Sequence, residues 1–108
     1  MNDIDLQKIK KLCGDGKLRW TNHSLTRLLQ RGIVLADVID AVQSGEIIES
    51  YPNDYPYPSY LILGVTLQTR YLHVVCGLAV QDVWIITAYY PTRDKWEADL
   101  KTRKGCSS

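Results

Sequence analysis

Apolar residues recur at helical spacing through the first part of the chain and alternate with polar ones after it. Over residues 3–13, Leu6, Ile9 and Cys13 share one side of a helix, Lys8 and Lys11 point away, and Gly14 and Gly16 stop it. Residues 17–20, Lys-Leu-Arg-Trp, alternate polar and apolar and predict a short strand. Residues 23–33 predict a second helix with Leu25, Leu28 and Leu29 inward, Thr21 or Asn22 as N-cap and Gly32 at its end. His23, Arg27 and Arg31 follow one another at i, i+4 and i+8, so they form a stripe down the opposite side. A third helix over 35–44 places Leu35, Val38, Ile39 and Val42 on one face and Asp37 and Asp40 toward water, with Gly45 as its cap.

The period then changes. Residues 46–51, 60–67, 71–79 and 83–90 are β-rich runs separated by short breaks. Such breaks suit antiparallel hairpins, because a parallel crossover needs about a dozen residues. The break at 52–59, PNDYPYPS, carries three prolines, which fix φ and remove ladder donors. Asp54, Tyr55 and Tyr57 are therefore displayed on a stiff loop rather than packed in a strand. After Pro91, residues 92–104 put Trp96 and Leu100 on one helical side and end in Lys101, Arg103 and Lys104, while 105–108 are expected to fray. The elements add up to an α+β layer: N-terminal helices packed on a four-stranded, mainly antiparallel sheet, with a short C-terminal helix. The helices take one sheet face and leave the other partly open, although both faces of the last two strands are apolar enough to be covered.

Composition sets the scale. A chain of 108 residues with 45% apolar content builds one domain with a small core. No apolar run approaches the 18 or so residues of a membrane span, and the N-terminus has no secretion-signal core. Cys13, Cys76 and Cys106 are too few and too far apart for a disulfide framework or a metal-ligand pair. The chain reads as cytoplasmic. Its net charge of +1 conceals a gradient: residues 1–34 hold seven basic groups against three acidic, residues 35–90 one against six, and residues 91–108 five against three. A fold that joins the two ends acquires a basic side despite the neutral total.

Candidate chemistry is narrowed by what is missing. The glycines fit neither a phosphate-binding loop nor a dinucleotide fingerprint, and no Ser or Cys stands in a nucleophile context. Two isolated histidines are poor metal-ligating material, so no metal and no other cofactor is expected. Imidazole, guanidinium and phenol groups remain, and cleavage of RNA at the 2′-hydroxyl is a reaction they can serve without metal. It needs a base, an acid and cations for the charge developing on phosphate. His73, His23 and Arg27 are the candidate catalytic residues. Arg31, Asp54, Tyr55, Tyr57, Tyr89 and Arg93 are the candidate substrate-binding residues, with the tyrosines stacking unpaired bases. A lone strand histidine such as His73 is more often a hydrogen-bonded structural group than a catalyst.

The segments HSLTRLLQRGI, DVIDAVQSGEIIESYPNDYPYPSYLILG, LHVVCG and IITAYYPTRDKW, in that order, resemble the bacterial family called domain of unknown function 4258. The matching positions are His23, Arg27, Arg31-Gly32-Ile33, Gly45-Glu46, Tyr51-Pro52, Asp54, Pro58, Gly64, His73, Thr87, Tyr89 and Trp96, within residues 20–97. Val34 departs from the pattern by standing where a helix-capping Ser or Thr is expected. The resemblance implies a RelE/BrnT-like fold, shared with ribonuclease toxins of toxin–antitoxin pairs, and a small antitoxin-type partner protein carrying a zinc finger. It brings no catalytic assignment, and the near-neutral charge is low for a ribosome-dependent ribonuclease. The expected function is the toxin-like component of such a pair, a metal-independent endoribonuclease acting on RNA. The alternatives are a non-catalytic protein- or nucleic-acid-binding module of the same fold, and histidines that only hold the fold through backbone or carboxylate partners such as Asp54.

Overall fold

In a computed structural model describing residues 3–105, three helices and a short strand precede four longer strands: α1 (Asp3–Gly14), β1 (Leu18–Trp20), α2 (Asn22–Gln30), α3 (Leu35–Ser44), β2 (Glu46–Tyr51), β3 (Ser59–Val65), β4 (Tyr71–Leu78) and β5 (Val83–Tyr89). Cys106 and the fraying expected over 106–108 lie outside the described residues. No described helix is long and apolar enough to cross a membrane.

The sheet corrects the sequence-based expectation. It has five strands, not four, in the order β1-β5-β4-β3-β2, and it is mixed. β2, β3, β4 and β5 pair antiparallel, but β1 lies parallel to β5, with Leu18 opposite Val83 and Trp20 opposite Ile85. The strand at 17–20 was legible as a strand, but three residues carry no period that places them in a sheet. Its partner is β5, more than sixty residues later, and only the fold brings the two together.

The helices cover one face. Tyr60, Ile62, Leu72, Val74, Cys76 and Ile85 from the strands pack against Ile9, Cys13, Leu28, Val38, Ala41 and Val42 from the helices. Two residues expected inward are not there: Leu29 is 60% exposed and Ile39 37%. The α3 contact is centred on Ala41, because Gly64 of β3 has no side chain and lets the helix backbone touch the strand. A Cβ at Gly64 would lie 1.8 Å from the Ala41 carbonyl oxygen. The missing cap at Val34 is compensated from within, since the Val34 N–H donates to the Asp37 carboxylate at 3.2 Å.

The second correction is at the C-terminus, where 92–104 is not a helix. The Asp99 carboxylate accepts from the backbone N–H groups of Lys101 and Thr102 at 2.9 and 3.0 Å, and short polar side chains of this kind compete with helical hydrogen bonds. The segment folds into a small looped strap instead. Glu97 N–H donates to Thr102 O at 2.8 Å, Lys104 N–H donates to Lys95 O at 2.9 Å, and Leu100 turns at φ 60°. The strap lies across the sheet face opposite the helices and buries Trp96 to 3% exposure against His73. The rest of that face, around Gly77, Trp84 and Ile86, stays open.

Candidate functional site

The helix α2 sets the geometry. Thr21 caps it reciprocally with Ser24: Ser24 N–H donates to the Thr21 hydroxyl at 3.1 Å, and Thr21 N–H to the Ser24 hydroxyl at 3.0 Å. At the other end Arg31 donates through Nη1 to Ala88 O at 2.8 Å and to the Thr87 hydroxyl at 2.9 Å. β1 pairs with β5 only as far as Ile85, so this guanidinium satisfies an edge carbonyl that the short strand cannot reach. The helix is thereby fixed alongside β5 with His23, Arg27 and Arg31 exposed.

Its two ends open onto different cavities. A groove of about 460 Å³ next to His23 has Trp84, Ile86 and Gly77 on the sheet side and Asp54, Tyr55 and Tyr57 on the loop side. The loop is held in place. The Asp54 carboxylate accepts from the buried Ser59 hydroxyl, the Asp54 N–H donates to Tyr51 O at 3.2 Å, and the Leu78 N–H donates to Pro58 O at 2.9 Å. A second cavity of about 400 Å³ next to Arg31 is lined by Tyr89, Tyr90, Lys95, Trp96 and Arg103. Three cations and three aromatic rings converge there. Arg103 also makes a two-armed ion pair with Glu49 at 2.9 and 3.0 Å and stacks 4.6 Å from the Trp96 ring centre.

The predicted residues therefore separate. His23, Asp54, Tyr55 and Tyr57 share the groove, and Arg31 and Tyr89 share the cationic pocket. Arg27 lies between them on the exposed side of α2, and Arg93 is exposed on the strap in neither cavity. The two candidate catalytic histidines do not come together in one cavity. His73 is fully buried beneath the strap, edge-on to Tyr89 at 5.2 Å and to Trp96 at 4.5 Å. Its Nε2 lies 2.8 Å from the Leu100 carbonyl, which can only accept, so Nε2 carries the proton. Nδ1 is buried without a hydrogen-bond partner. Lys95, Trp96 and Arg103 were not recognised as site residues. The basic excess of residues 91–108 was the available signal, but reading them as a helix gave it no place to act.

Electrostatics follow the burial. Desolvation lowers the His73 pKa from its ordinary 6.5 and keeps the imidazole neutral, despite the Leu100 carbonyl. The Arg103 hydrogen bond holds Glu49 below its ordinary 4.5, and burial raises Tyr89. Burial also pushes the Cys76 thiol up to about 12, which makes it inert. Among the described residues no three His, Cys, Asp or Glu side chains come together as metal ligands.

These shifts carry a sign. Below pH 6.5 the unfolded chain protonates His73 while the folded chain resists, so the stability from a neutral, buried His73 is present above that value and declines beneath it. The Glu49–Arg103 contribution persists to lower pH and is lost only as acid reaches the depressed Glu49 pKa, below 4.5. Melting temperature is expected to fall as pH is lowered from ~8 to ~5. In His73→Gln the fall over that range should be smaller. Equal slopes in the two proteins would show that His73 does not couple protons to folding.

A family model described as "Domain of unknown function (DUF4258)" matches residues 20–90, from the end of β1 through β5. No curated protein and no solved structure matches the chain.

Proposed function

The chain belongs to the DUF4258 family, and on that premise we propose that it is a RelE/BrnT-like, toxin-type domain that binds single-stranded RNA along α2 and cleaves it without a metal. One observation carries this reading: the stripe of His23, Arg27 and Arg31 leads from an aromatic groove to a cationic pocket. Eight residues at about 1.5 Å each make a track roughly 12 Å long. Single strands are held in just this way, by a cationic path for the backbone and aromatic faces for the bases. Arg31, Lys95 and Arg103 hold phosphate in the pocket, Arg27 holds it on the track, and Tyr55, Tyr57 and Trp84 stack bases. His23, the exposed imidazole, takes the proton of the 2′-hydroxyl as the 2′-oxygen bonds to phosphorus, and the P–O5′ bond breaks with water protonating the leaving 5′-oxygen, giving a 2′,3′-cyclic phosphate end. His73 acts through the strap, positioning Trp96 and Tyr89. A small antitoxin-type protein with a zinc finger, covering this basic and aromatic side in the cytoplasm, would complete the pair.

The test is incubation of purified protein with single-stranded RNA in the presence of a chelator. Cleavage should survive chelation and drop by roughly 10²–10⁴-fold in His23→Ala. Arg27→Glu should weaken RNA binding by about tenfold and reduce the salt dependence by about one ion. RNA left intact by a well-folded wild type ends the enzymatic part of the proposal. The second reading, a binding module without catalysis, draws support from the burial of His73, which leaves a single imidazole on the surface. Under it RNA or a partner protein is bound and released unchanged, and His23→Ala has little effect.

A further inference from the structure

We propose that the groove beside His23 is a nucleobase pocket in which the Asp54 carboxylate selects guanine. The inference rests on the RNA reading for its biological setting, but free nucleotides test it independently. At about 460 Å³ the groove has the size of a small-molecule site, with apolar walls and few polar groups. Trp84, Tyr55 and Tyr57 supply flat surfaces, and Gly77 contributes no side chain to fill the space between strand and loop. A Cβ there would already sit 3.7 Å from the Tyr57 Cβ and 3.8 Å from Ile86.

The polar lining decides which base fits. Thr21 and Ser24 are occupied with capping α2; the Trp84 N–H only donates, the His23 ring and the Tyr55 and Tyr57 hydroxyls can donate or accept, and Asp54 is the one carboxylate in the lining. The Ser59 hydroxyl takes one acceptor site of Asp54 and fixes its orientation, and an ionised carboxylate has about four such sites. Asp54 can only accept, so the base must donate. Guanine presents its ring N1–H and its 2-amino group side by side, matching the two oxygens of a carboxylate. Adenine and cytosine present one amino group beside a ring nitrogen acceptor, which a carboxylate repels. Uracil presents one N–H between two carbonyls. With the base seated against Asp54, His23 and then Arg27 are the next groups along the sugar–phosphate chain, which places cleavage beside guanosine.

The experiment titrates the full chain with the 5′-monophosphates of guanosine, adenosine, cytidine, uridine and inosine, followed through the Trp84 indole N–H signal. The guanosine nucleotide should bind about tenfold or more tighter than the others, as one matched pair of hydrogen bonds provides. Inosine lacks only the 2-amino group and should lose most of that advantage on the unaltered protein. Asp54→Asn should abolish the preference at an unchanged melting temperature, and Tyr57→Ala should weaken all five without changing their order. Equal affinity for guanosine and inosine nucleotides, or a preference that persists in folded Asp54→Asn, overturns the proposal. Guanosine preference without RNA binding would instead remove the RNA reading and leave the pocket standing.

Discussion

Replacing Trp96 with alanine should cost roughly 3–5 kcal/mol and release the strap from the sheet. Trp96 is 3% exposed, meets the edge of His73 and carries the Arg103 guanidinium on its face, so its removal empties the centre of that contact. The remaining tethers are weak. The Lys101–Glu46 pair at 2.8 Å is solvent-exposed and contributes little, and the Arg103–Glu49 pair, whose carboxylate is more buried than its guanidinium, is the firmer of the two. Leu100 also adopts a left-handed conformation that costs a bulky residue roughly 1–2 kcal/mol and that the His73 hydrogen bond holds in place. Denaturant unfolding gives the loss in stability, and limited proteolysis at the strap's lysines and arginines reports its release. Trp96→Phe should restore most of both. A Trp96→Ala protein as stable and as protease-resistant as wild type would show that the strap contributes nothing to the fold.

Gly64→Ala is the second large effect, for the opposite reason. The added methyl would meet the Ala41 oxygen at 1.8 Å, its carbonyl carbon at 2.5 Å and its Cα at 2.7 Å, all of them backbone. No rotamer change relieves that contact, so α3 must move off β3 and carry Val38 and Val42 with it. A cost of about 3 kcal/mol or more is expected, at the upper end of overpacking. Gly77→Ala on the other face is the internal control, because its nearest neighbour is 3.7 Å away and the fold should tolerate it. Equal urea midpoints for the two variants would contradict the close approach of α3.

Local pattern made most of the elements legible. The helix over 35–44 and the strand over 46–51 coincide with α3 and β2, and Thr21 caps α2 as its chemistry suggests. The proline-rich loop also stands where its composition puts it, displaying Tyr55 at 94% exposure. The misses share one cause, which is dependence on partners distant in sequence. Leu29 and Ile39 have the right period, but the roll of α2 is tied to β5 through Arg31 and that of α3 to β3 through Gly64, on strands that come later in the chain. β1 needs β5 to become part of a sheet. The strap has helical spacing at Trp96 and Leu100, yet Asp99 turns the backbone, and the surface those side chains cover exists only once β3 and β4 are paired. The site divided on the same grounds: the α2 stripe and the loop belong to contiguous segments and could be read directly. The depth of His73 and the gathering of Lys95 and Arg103 around Arg31 depend on where the strap lands.

The parallel pairing of β1 with β5 also fixes an order of events during synthesis. The strand that leads into α2 emerges well before its partner and waits for it until residues 83–89 have been made. Trp84 and Ile86, which floor the groove, arrive with that partner, and Lys95 and Arg103 arrive later still. A ribosome that stalls before this point carries a chain with the cationic stripe but neither cavity. For a domain proposed to attack RNA, the complete site is assembled only once residues 83–103 have been made.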